Sequence, residues 1–412
     1  MCRYGLIVRL AAALLLAFLI SGALAAGPAR AAAAVALAAD PQAAEDEGGL
    51  GAVAAEQLAE INTAELEQFI AELNRETQGI LPEFRLRDVL AGLTGGGFRA
   101  NAEALLQGIA RLFCRELLAN TVLLGQLIAL AALCALLQNL QSAFEGETVG
   151  RVAYAVCYLV LATLAVGAFA VSLNAGRAAI SSLVRFMQIL TPLLLTLLAA
   201  LGGITSTPLF HGIVVLIINV VAVAVRDIIL PLLLVSAIVE VVSNLVEGWK
   251  LSHLTGFIRQ AATVTLGVLL CAFVGVMLVS GAVGAVGDGV ALRTAKFMAN
   301  TFVPVVGKMF ADSAELVIGG SLILKNAVGI AGTIAIFLVC AFPLIKLIVV
   351  ILIFRFAAAL VQPINPGRIS ECLNGLAGSL SLVCISVGAV AMMFFFSIAI
   401  IVAAGNFMTM IR

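Results

Sequence analysis

The sequence predicts an all-α, polytopic membrane protein with about eight apolar segments, seven to nine according to how the breaks are counted. Three observations predict it. Of 412 residues, 63% are hydrophobic and 11% are charged, with a mean hydropathy of +1.17. A soluble domain carries about 25% charged residues, so this chain has too little polar surface to cover a water-facing globule. Nine apolar runs then follow one another from residue 117 to 404 with no long soluble domain between them. Finally, the charges are segregated: residues 27–116 hold 14 Asp and Glu against 7 Arg, whereas residues 117–412 hold 9 against 14 Lys and Arg. Zero net charge and the lack of a basic patch argue against a nucleic-acid partner.

Residues 1–26 read as a signal peptide. Arg3 and Arg9 precede an apolar run from Leu10 to Ile20, and Ser21-Gly-Ala-Leu-Ala25 gives a small-residue exit with cleavage after Ala25 or Ala26. An uncleaved anchor helix over Leu6–Ala26 is the other reading, since about 20 apolar residues suffice to span. Both start the following segment outside the cytoplasm. Residues 27–116 form that acidic, extracytoplasmic segment. Its first part is rich in Ala, Gly and acids and is expected to be disordered. Leu58, Ile61, Leu66, Phe69 and Leu73 then recur at helical spacing, with Asn62 and Glu65 placed for a capping box and Gly79 and Pro82 as stops. Leu105, Ile109, Leu112 and Phe113 make a second stripe. This second helix either lies along the bilayer surface or packs on the first acidic helix.

Residues 117–412 form the membrane domain. The runs are Leu117–Leu140, Val152–Leu173, Leu183–Leu201, Phe210–Val225, Ile228–Val246, Ala261–Val286, Ala327–Phe342, Leu344–Val361 and Leu376–Ala404. A single helix over 327–361 would be about 52 Å long at ~1.5 Å per residue, too long for one ordinary crossing, and Pro343 marks an expected break. A duplication is also read, with repeats at 150–246 and 261–361. Arg185-Phe-Met187 precedes Pro192 much as Lys296-Phe-Met298 precedes Pro304, and Pro231 and Pro343 follow at equal distance. Paired broken helices of this kind build midplane sites in transporters; chance agreement in so apolar a chain is the other reading. Lys and Arg counts favour neither of two topologies, so at least one segment is expected to be re-entrant.

Chemistry is sparse. Two histidines, His211 and His253, and eight scattered cysteines without a CxxC pair give no metal site and no disulfide framework. No GxxxxGK[ST], GxGxxG or GxSxG occurs in a suitable context, so neither a cofactor nor an enzyme activity is expected. Ionisable groups at membrane depth are the remaining suspects. Glu240 sits between Ile238-Val239 and Val241-Val242, and is read equally as part of a proton or solute path and as a helix-pairing residue. Lys346 and Arg355 lie near the ends of their run and are read first as pairing or snorkelling residues. Under the expected repeat, Glu240 and Lys346 follow equivalent prolines, and antiparallel packing would pair them. Arg226-Asp227 is a self-neutralising corner. The stretch 287–326, with Asp288, Arg293, Lys296, Lys308, Asp312 and Lys325, is neither apolar enough for an easy span nor polar enough for a loop. A re-entrant or interfacial element lining a cavity fits it.

That same stretch carries a resemblance. Asp288-Gly-Val-Ala-Leu-Arg-Thr-Ala-Lys-Phe297, Phe302-Val-Pro304, Met309-Phe-Ala-Asp312 and Leu324-Lys-Asn-Ala-Val-Gly329 are its phrases. Leu136-Leu-Gln-Asn-Leu-Gln-Ser-Ala-Phe144, Ala357-Ala-Ala-Leu-Val-Gln-Pro363 and Ala404-Gly-Asn406 add to them. Over roughly 80–412 the chain resembles the stage III sporulation protein AE family of endospore-forming bacteria. The resemblance implies a multi-pass protein of the mother-cell membrane surrounding the forespore. It implies membership of a channel complex that joins the two cells and supports late forespore development. The implied partners are the other stage III sporulation A-group membrane proteins, a forespore channel partner and a separate ATPase subunit. It brings no catalytic residues. An independent secondary transporter and a purely structural scaffold are the rival readings of the residues themselves.

Overall fold

The computed structural model describes residues 64–76, 102–143, 147–245, 251–302, 306–363 and 367–410. Among these the regular structure is entirely helical: α1 (Ala64–Glu76), α2 (Ala102–Ala119), α3 (Thr121–Ala143), α4 (Glu147–Ala200), α5 (Ser206–Ala222), a π-helical turn (Val223–Ile229), α6 (Leu230–Leu245), α7 (Ser252–Phe302), α8 (Val306–Val361) and α9 (Arg368–Met410). The expected signal at 1–26, its neighbour to residue 63, and the Asn62, Gly79 and Pro82 signals lie outside the described residues.

α1 follows its stripe. Leu66, Phe69, Ile70 and Leu73 are buried, while Glu65, Glu67 and Arg75 sit at the ends their charges favour. Its apolar face docks on α4, where the Phe69 and Phe186 rings lie 5.2 Å apart. The Arg185–Glu72 contact beside them, at 3.5 Å, is largely exposed and adds little. The second stripe's helix, α2, packs against α8 and α3 rather than on α1. α2 and α3 meet at 46°, because Asn120 turns its side-chain amide onto the Glu116 carbonyl at 2.8 Å and Thr121 donates to Leu118 O.

The nine apolar runs merge into fewer, longer helices. Among the described residues, five uninterrupted apolar helices are long enough to cross, over Val152–Ala200, Ser206–Leu245, His253–Ala291, Gly319–Val361 and Arg368–Asn406; the bent α2–α3 pair makes a sixth if counted as one span. The prolines explain the merger. Pro192 and Pro343 lie inside α4 and α8, and Pro231 follows the π turn, whose Leu230 N–H reaches back to Val225 O. A proline in a packed apolar helix is tolerated when neighbours absorb the freed carbonyl. Pro343 therefore does not break its helix. Residues 303–305, Pro304 among them, lie outside the described residues; the remainder of the 287–326 stretch is helical, as the end of α7 and the start of α8.

Between α4 and α5 the turn is explicit. Gly202 adopts φ 92°, its N–H bonds Ala199 O, and Gly203 N–H bonds Leu198 O, the paired bonds of a Schellman C-cap. α9 lies at the centre, packed on α8, α4, α7 and α6. α7 is peripheral, with 22% of its apolar window buried against 61% for α9. Small residues set the crossings: a Cβ on Gly329 would stand 2.5 Å from Val402 Cγ2, and one on Gly332 2.6 Å from Leu190 Cδ2. Gly332→Leu is expected to destabilise the bundle by about 1–3 kcal/mol, seen as a lower melting temperature in detergent. Gly167→Leu, where nothing lies within 4 Å, is expected to leave it unchanged.

Candidate functional site

Four polar ties hold the apolar helices in register, and three of them use residues singled out by sequence. The first is Asp288. It is 1% exposed on α7, and its carboxylate closes the N-terminus of α5. Thr205 N–H donates to Oδ1 at 2.6 Å, Ser206 N–H to Oδ1 at 3.1 Å and Oδ2 at 3.3 Å, and the Ser206 hydroxyl bonds Oδ2. The first turn of a helix leaves its N–H groups without partners and carries partial positive charge, so a carboxylate is matched to it twice over. Thr205 makes no side-chain cap of its own, which leaves that task to α7. Gly284 and Gly287 make the approach physically possible: Cβ atoms there would lie 2.5 Å from Ser206 Oγ and 3.0 Å from Thr205 Cγ2. The Gly-x-x-Gly-Asp spacing was the available signal for this contact.

The second tie corrects an expected pair. Glu240 does not face Lys346. Its Oε2 accepts from Arg259 Nη2 at 3.0 Å, and the two side chains are 13% and 12% exposed. Arg259 also donates from Nη2 to Gly375 O at 2.8 Å and from Nε to Ser379 Oγ at 3.0 Å, joining α6, α7 and α9. The physical reason is packing: α6 and α8 both pack on α9 instead of on each other. Gly375 leaves room for the carboxylate, since a Cβ there would lie 2.5 Å from Glu240 Cδ. Nothing in the local sequence singles out Arg259, Gly375 or Ser379 for this role. The third tie was also missed: buried Tyr158 on α4 donates to Val241 O at 2.9 Å.

The fourth is Lys325 on α8, 0% exposed. Its ammonium donates to Val402 O at 2.8 Å and Asn406 Oδ1 at 3.3 Å on α9. A Cβ on Gly405 would collide with Nζ, so the glycine is the opening that admits the lysine. Among the described residues no carboxylate pairs with it. Lys325→Met keeps the side-chain length and fills the same slot, and is expected to leave the membrane level of the protein near normal while lowering spore yield. Normal yield would assign the lysine to packing alone. Arg293 is exposed on α7, and Lys346 and Arg355 are half-buried on α8. Lys296, Lys308 and Asp312 fall in helical backbone, but their side chains lie outside the described residues. The Arg226–Asp227 pair forms as expected, at 2.9 Å, on the π turn rather than at a corner.

The comparisons place these ties in a family. The stage III sporulation protein AE description matches residues 84–405, which include every tie residue except Asn406. The chain belongs to that family. It is 39% identical over 363 residues to the stage III sporulation protein AE of Bacillus subtilis (strain 168), covering 87% of this chain and 91% of that one. No solved structure matches the chain. Within this stage III sporulation protein AE chain, two of the four ties fall in phrases that carry the resemblance. Asp288 opens one phrase, Lys325 lies in another, and Gly405 and Asn406 end the last.

Proposed function

We propose that this chain is a membrane subunit of the channel complex linking mother cell and forespore, seated in the mother-cell membrane around the forespore and required for late forespore development. The observation that carries this reading is membership of a sporulation family across almost the whole membrane domain. The structure suits a subunit. Buried polar ties fix the helices around α9, while α7 turns Val264, Val268, Val279, Val283 and Val286 outward. A body of this kind presents an apolar flank to lipid or to sister membrane proteins. The partners are the other A-group proteins and a forespore partner; energy comes from a separate ATPase, and the chain itself is no enzyme. Affinity isolation from sporulating membranes tests this. Stable recovery of A-group subunits with the tagged chain is expected. Recovery of the chain by itself, together with solute flux through the purified protein in liposomes, would favour the secondary-transporter reading, which the charged groups within the apolar body support. Complex membership without any loss of intercellular passage on mutating the ties would favour a scaffold.

A further inference from the structure

A polar cleft stands halfway along two of the apolar helices. Arg177 lies 25 residues after Val152 and 23 before Ala200; Arg226 and Asp227 lie at the middle of Ser206–Leu245. Asn174, Arg177 and Ser181 fall on one face of α4 by their spacing and line the cleft opposite Arg226, Asp227 and Pro231. The cleft is shallow and broadly open, with a volume of about 580 Å³. The π turn creates the far wall: its wider winding carries Arg226 and Asp227 as neighbours, and such turns mark functional sites often.

The charges in the cleft do not balance. Arg226 and Asp227 satisfy each other through two bonds, Nε to Oδ1 at 2.9 Å and Nη2 to Oδ2 at 3.2 Å. Ser181 donates back to Arg177 O. Half-buried Arg177 adds a second positive charge to the attraction of the one carboxylate, Asp227, and its Nε is buried without a hydrogen-bond partner. One positive charge in excess, amid apolar helices, is costly unless something answers it. A guanidinium is planar, always charged and forked, and its best complement is an oxyanion held by two parallel N–H bonds. The broad opening leaves room for an oxyanion carried on a larger molecule.

We infer that this cleft binds a phosphate ester, with Arg177 as the principal ligand and Asn174 and Arg226 beside it. A soluble phosphate ester and an anionic lipid headgroup share this chemistry, and the test separates them. The full chain is purified into detergent and into nanodiscs of phosphatidylcholine with or without phosphatidylglycerol. Glycerol 3-phosphate binding is followed by calorimetry, and retained lipid by native mass spectrometry. Saturable binding of glycerol 3-phosphate, weakened about tenfold or more by Arg177→Gln, supports a solute site. Retention of one phosphatidylglycerol per chain, lost in Arg177→Gln, supports a headgroup site. Arg185→Gln, the same charge change on the same helix outside the cleft, is expected to alter neither. Wild-type protein that binds no glycerol 3-phosphate and retains no phosphatidylglycerol overturns the inference without reference to any variant.

Discussion

Arg259→Gln is expected to lower the amount of folded protein in the membrane severely, and Glu240→Gln to do nearly the same. Each substitution leaves one buried ion without its counterpart. Removing one partner of a buried pair costs about 3–5 kcal/mol, because the survivor keeps its desolvation penalty and loses its attraction. Arg259 is the more sensitive member, since its loss also strips donors from Gly375 O and Ser379 Oγ on α9. The double neutral variant, Glu240→Gln with Arg259→Gln, is expected to recover part of the loss, as both buried charges are then gone. Combining Glu240→Gln with Lys346→Gln is expected to recover nothing. Quantitative immunoblotting of membranes, with melting temperatures in detergent, reads all four. A rescue by Lys346→Gln in place of Arg259→Gln would sink the assignment.

Asp288→Ala is expected to be comparably damaging by a different route. It removes a carboxylate that accepts from two backbone N–H groups and one hydroxyl at the start of α5. Each buried donor left without an acceptor costs about 1–3 kcal/mol, so the total loss is several kcal/mol. Asp288→Asn retains one carbonyl acceptor but loses the charge that suits the helix N-terminus, and is expected to lie between wild type and Asp288→Ala. Hydrogen exchange supplies a local readout: the amides of Thr205 and Ser206 are expected to exchange faster in both variants, while those of α9 change less. Unaltered exchange at 205–206 in Asp288→Ala would show that the cap is dispensable.

Much of this was legible residue by residue. The α1 stripe of Leu66, Phe69 and Leu73 gave its buried face correctly, because a short helix between water and protein must sort its residues by polarity. Asp288, Lys325 and Glu240 stood out as ionisable groups where burial is expensive, and all three prove to be bonded between helices. Arg259 did not stand out. It lies a few residues from the start of its helix, where an arginine looks solvated, and nothing in the local sequence announces that α9 brings Gly375 and Ser379 to it. The charged cleft was equally hidden, since Arg177 and Arg226 are 49 positions apart and only the α4–α5 packing places them face to face.

The sequence by itself determined the membrane class, the all-helical content, the sporulation family and three of the polar residues that tie the helices, Glu240, Asp288 and Lys325. Composition and local spacing suffice for these, because each depends on which residues must leave water. Helix continuity and charge pairing were decided by the tertiary structure. Pro192 and Pro343 lie inside continuous helices and Pro231 just after a π turn, since a packed bundle tolerates a proline that would break an isolated helix. Likewise, a uniformly apolar helix carries little pattern to say which neighbour it will meet. Only the placement of α9 between α6 and α8 gives Glu240 to Arg259 rather than to Lys346.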